Sequence, residues 1–569
     1  MKVLFSHLKK YKRDCILAPL FKLCEATLEL LIPLIVADII DRGVKGGQKN
    51  VVIVDFILMI VCGLAGLAFS LTGQFFSARA ATGFSSDVRE NLFAKLLKLP
   101  LEKTDKIGVS PMITRMTSDI NQLQSGTNLV LRLLLRSPFV VLGALAAALL
   151  IDRKVALVFV AVILLLSVVV ALIMKTTMPR YGEAQRKLDA VSSAARDNLT
   201  GVRVIRAFGA EENETKAYKS KTAEFEKFQN GVGRISSLLN PLTFALVNCA
   251  IVALLYVSGI RVGQGDLTQG QTVALYDYMS QILVELVKFA NLIVSVSKAL
   301  ACGKRIDSVL CEDETLPDPK RGKVSDSYVE FDHVSVRYGE GGESLSDVSF
   351  RVERGQTVGV IGGTGSGKST LVNLLPALYR PSSGTVSIGG RDVGAYTEEE
   401  LHKIVGIALQ KATLFHGSID SNLRFGRNEI SEETIAKAAE TAQGADVVSS
   451  KGGLGAAVEQ GGKNFSGGQR QRLSVARALA GKPDILILDD SSSALDYATD
   501  LALRRSIHNL SPKPTVFIVS QRTASVRTAD FIVVLDDGKV VGIGSHDELM
   551  NTCETYREIH LSQVKGDER

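Results

Sequence analysis

The sequence predicts two unlike halves: an all-α membrane domain of six helices with long cytoplasmic extensions, then an α/β domain organised around a glycine-rich loop. Three observations carry this prediction. Between Asp14 and Leu300 the apolar residues come in long blocks, as membrane spans require. From Tyr328 onward they come in short runs divided by glycine and charge, as in a soluble α/β domain. Between two such runs lies Gly362-Gly363-Thr364-Gly365-Ser366-Gly367-Lys368-Ser369, with an apolar run before it and a helical stretch beginning at Thr370 after it. At 569 residues the chain is too long for one core. The division reads as a membrane domain over 1–301, a linker over 302–327 containing Pro317, Pro319 and Gly322, and the α/β domain over 328–569.

Composition excludes several classes. Sixty-six basic against 60 acidic residues leave a net charge of +6, too little at this length to argue for nucleic acid. Seven scattered cysteines show no paired spacing, and neither a disulfide framework nor a zinc site is indicated. Lys9, Lys10, Lys12 and Arg13 precede an apolar block longer than a signal peptide, which reads as a retained span with the N-terminus inside. Residues 1–12, with Val3, Leu4, Phe5 and Leu8 among lysines, suit a short interfacial helix.

Six spans are expected at about 14–40, 52–78, 128–151, 155–178, 236–260 and 272–298. The clearest is Val155 to Met174, twenty residues interrupted only by Ser167. At ~1.5 Å per residue such a helix crosses a ~30 Å hydrocarbon layer. Sections of roughly fifty residues after spans two and four are charged and periodic, so those helices extend into the cytoplasm; Arg79, Lys175, Arg180 and Arg234 agree with that orientation. Lys22, Glu25 and Glu29, Arg132 and Arg136, and Asp277, Glu285 and Lys288 lie inside spans. Such residues either line a substrate cavity or gate, or pair with one another.

In the C-terminal half, Val334 to Tyr338 alternates like a half-exposed strand. Thr357–Ile361, Ile485–Leu488, Val516–Val519 and Phe531–Leu535 read as strands buried on both faces of a largely parallel sheet. A strand, a glycine-rich turn and a helix in succession form a phosphate-binding loop: glycines let the backbone N–H groups converge, and the helix N-terminus favours negative charge. Lys368 would reach the β and γ phosphates and Ser369 a Mg²⁺ ion, so this is a nucleotide-binding P-loop domain. Asp489, closing the apolar run 485–488, suits the metal. Ser466-Gly467-Gly468-Gln469, just before a helix, make a second anion-binding turn from a hydroxyl, backbone N–H groups and the helix dipole.

The stretch Asn464 to Arg472 resembles the signature of ATP-binding-cassette (ABC) proteins, and the six spans with long extensions resemble a type IV exporter half-transporter of that family. The resemblance covers essentially the whole chain and implies several roles. Tyr338 would stack on adenine; Gln410 would sense Mg²⁺ and the membrane domain; Ser493 to Asp496 would cross a dimer interface. Thr114–Asn121 and Gly201–Phe208 resemble coupling helices. ATP would lie between two cassettes, the phosphate loop of one (Gly362 to Thr370) facing the signature turn (Ser466 to Gln469) of the other.

Two positions depart from the family pattern. Where the family carries a glutamate base stands Asp490, and where it carries a switch histidine stands Gln521. Aspartate is shorter by one carbon–carbon bond, roughly 1.5 Å. Glutamine can hydrogen-bond a phosphate oxygen but can neither carry the charge nor shuttle a proton. The resemblance therefore implies the degenerate-site subunit of a bacterial heterodimeric multidrug exporter, paired with a hydrolysis-competent half-transporter. It would sit in the plasma membrane among lipid and carry an amphipathic drug or lipid-like small molecule. A regulatory or gating subunit without transport, or a homodimeric lipid or peptide exporter, are the alternatives.

Overall fold

A computed structural model describes residues 2–312, 327–339 and 341–567. The chain forms two compact units: Met1–Leu97 with Val109–Glu312, and Lys98–Gly108 with Asp313–Arg569.

The first unit is helical. Five of its stretches are long and apolar enough to cross a membrane: Lys49–Lys98, Val109–Ile151, Arg153–Thr200, Glu211–Gly263 and Gln269–Leu310. The first expected span forms a helix of 27 residues, Lys12–Asp38, about 40 Å long. Lys22, Glu25 and Glu29 make it too charged to stand out as apolar. Local chemistry sets the helix ends. Asp152 accepts from the amides of Lys154 (2.8 Å) and Val155 (3.0 Å), and so starts Arg153–Thr200. Thr268 and Gln271 form a reciprocal cap at the start of Gln269–Leu310. Between Ile120–Leu133 and Arg136–Ile151 the helix breaks at Leu134 and Leu135. Pro138 is the cause: it has no N–H to give the Leu134 carbonyl one turn back.

Ala37, Ala144, Ala148, Ala250 and Ala274 pack with Phe159, Tyr278 and Ile282 in the unit's core, small side chains allowing close helix approach. Val54, Phe56, Ile57, Leu64, Leu67 and Leu71 are exposed, as a lipid-facing surface requires. In the Lys2–Leu8 helix Leu4 is fully buried in protein.

Two boundaries differ from those read in the sequence. Thr114–Asn121, expected as a separate coupling helix, lies in nearly continuous helix. The short isolated helix is Leu101–Ile107, between Pro100 and a left-handed Gly108 (φ 80°). Pro fixes the entry and only glycine fits that exit at no steric cost. Its counterpart Val202–Ala207 does fall within the expected Gly201–Phe208. The stretch read as a linker from 302 is helical to Leu310, and its residues 313–326 lie outside the described part of the chain.

The second unit carries a six-stranded sheet in the order Lys539–Gly544, Phe531–Asp536, Thr357–Gly362, Thr515–Val519, Ile485–Asp489, Val405–Ala408. All neighbours are parallel except the first pair. The four apolar runs are its central strands; those at 485–489 and 515–519 are buried at every position, one face packing on helices and the other on a second sheet and the Lys368–Asn373 helix. Val329–Arg337 alternates in burial as a strand of a second, four-stranded antiparallel sheet.

Candidate nucleotide site

The central strands end side by side, and their C-terminal ends build a cleft of about 230 Å³ lined by Ser344, Thr364, Gly365, Gly367, Lys368, Ser369, Thr370, Gln410, Asp489, Asp490, Val519, Ser520 and Gln521. Ligands of open α/β sheets bind at this end of the strands. Gly365 (φ 84°) and Gly367 (φ 93°) are left-handed, and a Cβ on Gly367 would lie 2.5 Å from the Ser344 carbonyl, so the turn is closed to any other residue. Lys368 opens the helix Lys368–Asn373. Its Nζ donates to the carbonyls of Gly362 (3.0 Å) and Gly363 and to Ser366 Oγ (3.3 Å). Ser366 therefore turns inward and is buried, supporting the loop without lining the cleft.

Opposite the loop, Asp489 Oδ1 accepts from Ser369 Oγ at 2.9 Å. Burial raises the Asp489 carboxyl above its ordinary value, and burial lowers the Lys368 ammonium below its own, although Asp490 and Asp489 oppose the latter shift. Both groups are held desolvated in a site where an added phosphate or metal charge is felt at full strength. Asp490 follows in the left-handed region (φ 44°), its amide bonded to the Val519 carbonyl at 3.0 Å and its carboxylate receiving Gln410 Nε2 at 3.4 Å. Aspartate tolerates that conformation better than most residues. Gln521 is exposed at the cleft edge, its carbonyl accepting from Gln563 Nε2 at 2.7 Å.

Tyr338 stands beside the loop, its hydroxyl 3.2 Å from Thr370 Oγ1. The four signature residues are elsewhere. Ser466 caps the helix Gly467–Ala480, reciprocally with Gln469. None of Ser466, Gly467, Gly468 and Gln469 lines the cleft. A Cβ on Gly468 would meet the Ala494 carbonyl at 2.9 Å, whereas one on Gly467 meets nothing within 4 Å.

Sequence reading missed Ser344 and Ser520 in the lining, and also Tyr379. The Tyr379 ring packs edge-on against Tyr338 with centroids 5.1 Å apart, and its hydroxyl donates to Asp105 Oδ2 at 2.6 Å. A contact between residues 274 apart leaves no local pattern.

In the helical unit six of the eight charges inside the expected spans are paired. Lys22 bonds Glu25 (2.6 Å) and Ser70 (3.0 Å). Arg136 bridges Glu29 and Glu285, each at 2.6 Å, and Lys288 adds to Glu285 at 2.8 Å. Glu25 and Glu29, one turn apart, have different partners, so pairing organises these residues.

The comparisons with known proteins agree on what carries this geometry. The ABC transporter transmembrane region family matches residues 15–286 and the ABC transporter family residues 345–493. An ABC transporter ATP-binding protein of Mycobacterium tuberculosis is 31% identical over 572 residues, covering 99% of this chain and 98% of that protein. YfiB, an ABC transporter ATP-binding protein of Bacillus subtilis, is 32% identical over 570 residues with the same coverage. Among solved structures, a bacterial Atm1-family ABC exporter with ATP bound matches in fold with a TM-score of 0.82, at 23% identity, over 97% of this chain and 98% of that one. The chain belongs to the ABC transporter family, a helical membrane domain and an ABC-type ATPase domain in one polypeptide.

Proposed function

We propose that this chain is one subunit of a heterodimeric ATP-driven exporter of a bacterial plasma membrane, with its N-terminus and ATPase domain cytoplasmic. One observation carries the reading: Lys368, Ser369, Asp489, Asp490 and Gln521 gather in one cleft, while the signature turn lies outside its lining with Gly467 open. Lys368 and the loop amides hold the nucleotide phosphates. Ser369, Asp489 and Gln410 supply hard oxygen donors of the kind Mg²⁺ takes. Among the described residues no group of three or more His, Cys, Asp or Glu gathers; a single carboxylate beside nucleotide phosphates is the usual arrangement for that ion. When bound, it would neutralise charge on the β and γ oxygens.

Asp490 is a short base held by Gln410, and Gln521 adds no charge. A positioned general base contributes ~10² to 10⁴ in rate, and a misplacement of ~1 Å forfeits on the order of a hundredfold. The chain's own site therefore holds ATP with little turnover. Ser466 to Gln469 complete the partner's site, and two-sided phosphate contact favours the closed pair of cassettes and drives alternating access for an amphipathic or lipid-like substrate.

Steady-state ATPase of the purified chain tests this. Expected is Mg²⁺-ATP binding with very slow turnover, rising when a half-transporter bearing Glu and His at the two positions is added, together with ATP-dependent uptake into proteoliposomes. Brisk turnover by a verified homodimer would remove the need for a partner.

A further inference from the structure

The switch residue Gln521 lines the nucleotide cleft just past the strand Thr515–Val519, and a helix 42 residues further on holds it there. That helix, Glu554–Asp567, is seated by Tyr556, which is fully buried in the core with Ile532, Val534 and Leu549 and whose hydroxyl pairs with His546 Nδ1 at 2.7 Å. About two turns beyond Tyr556 stands Gln563. Its Nε2 donates to the Gln521 carbonyl (2.7 Å), and its Oε1 accepts from the Thr523 amide (2.9 Å) and from Thr523 Oγ1 (3.0 Å). One side-chain amide thus grips a carbonyl and an N–H two residues apart, as a neighbouring parallel strand would.

The chain is fixed on either side of this grip. The Ser520 amide donates to the Val360 carbonyl of the central sheet at 3.1 Å, and Ser520 Oγ accepts from the Arg522 amide at 3.0 Å. The short helix Thr523–Val526 is held by Arg504, whose Nη1 donates to the carbonyls of Ala524 (2.9 Å) and Ser525 (3.0 Å). Arg522 gives that helix no side-chain cap, so Gln563 satisfies the Thr523 amide from outside. His560, on the same helix as Gln563, pairs through Nδ1 with Thr523 Oγ1 at 3.0 Å and makes no hydrogen bond to Gln521 among the described residues. Gln521 itself offers a phosphate a neutral donor, whose hydrogen bond weakens steeply with angle, whereas a charge acts in every direction. Its contact therefore depends on where its backbone is held.

We propose that Gln563 is a positioning residue for Gln521: it fixes the backbone of the switch segment so that the Gln521 amide meets the γ-phosphate of ATP, which makes the helix Glu554–Asp567 part of the nucleotide site. The assignment rests on the nucleotide reading of the cleft and is independent of the heterodimer.

The test is displacement of a fluorescent ATP analogue from the full-length chain in lipid nanodiscs, by Mg²⁺ with AMP-PNP and by Mg²⁺ with ADP. The ratio of the two affinities isolates the γ-phosphate, and a change that merely loosens the domain lowers both together. Gln521→Ala should lower the preference for AMP-PNP about tenfold, the order of one hydrogen bond to a charged group. Gln563→Met, of similar length but without the amide, should lower it severalfold. The double variant should fall no further than Gln521→Ala, because the two residues act through one contact. His560→Phe should lower the unfolding temperature yet leave the preference within about twofold, since its bond goes to Thr523 alone. Gln563→Met bares the Thr523 amide and can fail to fold; Gln563→Glu keeps both bonds to Thr523, loses only the donor to Gln521, and carries the same expectation. An unchanged preference in the folded Gln563 variants, an equal loss in His560→Phe, or losses that multiply in the double variant would overturn the proposal and leave Gln563 a structural tether. An unchanged preference in Gln521→Ala removes Gln521 from the γ-phosphate and overturns the proposal with it. Turnover is measured separately: a brisk homodimer faults the heterodimer reading and leaves this assignment standing.

Discussion

The ATPase unit contains two glycine-rich turns at helix N-termini, and only one is finished within the chain. Around Gly362 to Ser369 the protein supplies everything: a buried lysine, an opposing Asp489, and packing so close that a Cβ on Gly362 would stand 2.1 Å from the Leu535 carbonyl. Around Ser466 to Gln469 there is a capped helix end with exposed Ser466 and Gly467 and empty space beyond. The same chemistry, N–H groups and a helix dipole, thus serves two ends. On the proposed reading, the packed turn holds the nucleotide of this chain and the open turn waits for that of a partner.

The largest effect should come from charging the open turn. A Cβ at Gly467 meets nothing within 4 Å among the described residues, and aspartate suits the first turn of a helix, so the Gly467→Asp protein should fold normally. In the complex with a hydrolysis-competent partner its carboxylate would face ATP phosphate, and turnover should fall by ~10² or more, the order expected when phosphate-directed donors are lost. Nucleotide bound at Lys368, measured by photolabelling, should persist. Loss of that binding as well would mean that the two turns serve one site.

Next in size is the fold itself. Gly362→Ala should destabilise the ATPase unit by about 1–3 kcal/mol, because the new methyl has no room against Leu535. Gly467→Ala, on an open surface, should stay within about 0.5 kcal/mol. Thermal unfolding of each variant against the parent reads the contrast directly, and equal losses would show the signature turn to be packed after all.

Legibility followed locality. The phosphate loop, its strand and its helix are consecutive, so their pattern survives in the sequence, as do the four central strands, whose burial on both faces makes unbroken apolar runs. The Val405–Ala408 strand went unread because four residues containing a glycine make too short a run. Lys12–Asp38 was legible as the expected span at 14–40 despite its charges, but their partners were not: Lys22 pairs with Glu25 on the same helix and Glu29 with Arg136 from another. The pairing of Arg136 with Glu285, 149 residues away, could not be chosen over Glu25 or Asp277 from spacing alone.

A smaller effect is expected at the tether beside the phosphate loop. Tyr379→Phe keeps the ring against Tyr338 but deletes the hydrogen bond to Asp105, worth about 0.5–1.5 kcal/mol. Unfolding of the ATPase unit should shift by that amount with ATP affinity nearly unchanged. A large loss of affinity would show that Asp105 positions Tyr338 through Tyr379 and that the finished turn also depends on its surroundings.

The smallest effect should fall on the residue that looks most catalytic. Asp490 lines the chain's own cleft, beside Lys368 and next to Asp489, where the proposed reading puts the base. Its carboxylate is one bond shorter than the family's glutamate and is engaged by Gln410 Nε2. If this site turns over slowly, removing the carboxylate takes away little, and Asp490→Ala should leave the ATPase of the assembled pair within about twofold of the parent, far short of the ~10² to 10⁴ a working base supplies. The reverse change sharpens the point: Asp490→Glu restores the missing length and should raise turnover at this site, most visibly in a complex whose other site is silenced by Gly467→Asp. The measurement is steady-state ATPase of the co-purified complex for the two single variants and the combination. Should Asp490→Ala damage turnover as severely as Gly467→Asp, the aspartate is a working base, the two sites are equivalent, and the division between a finished and an unfinished turn carries no division of labour.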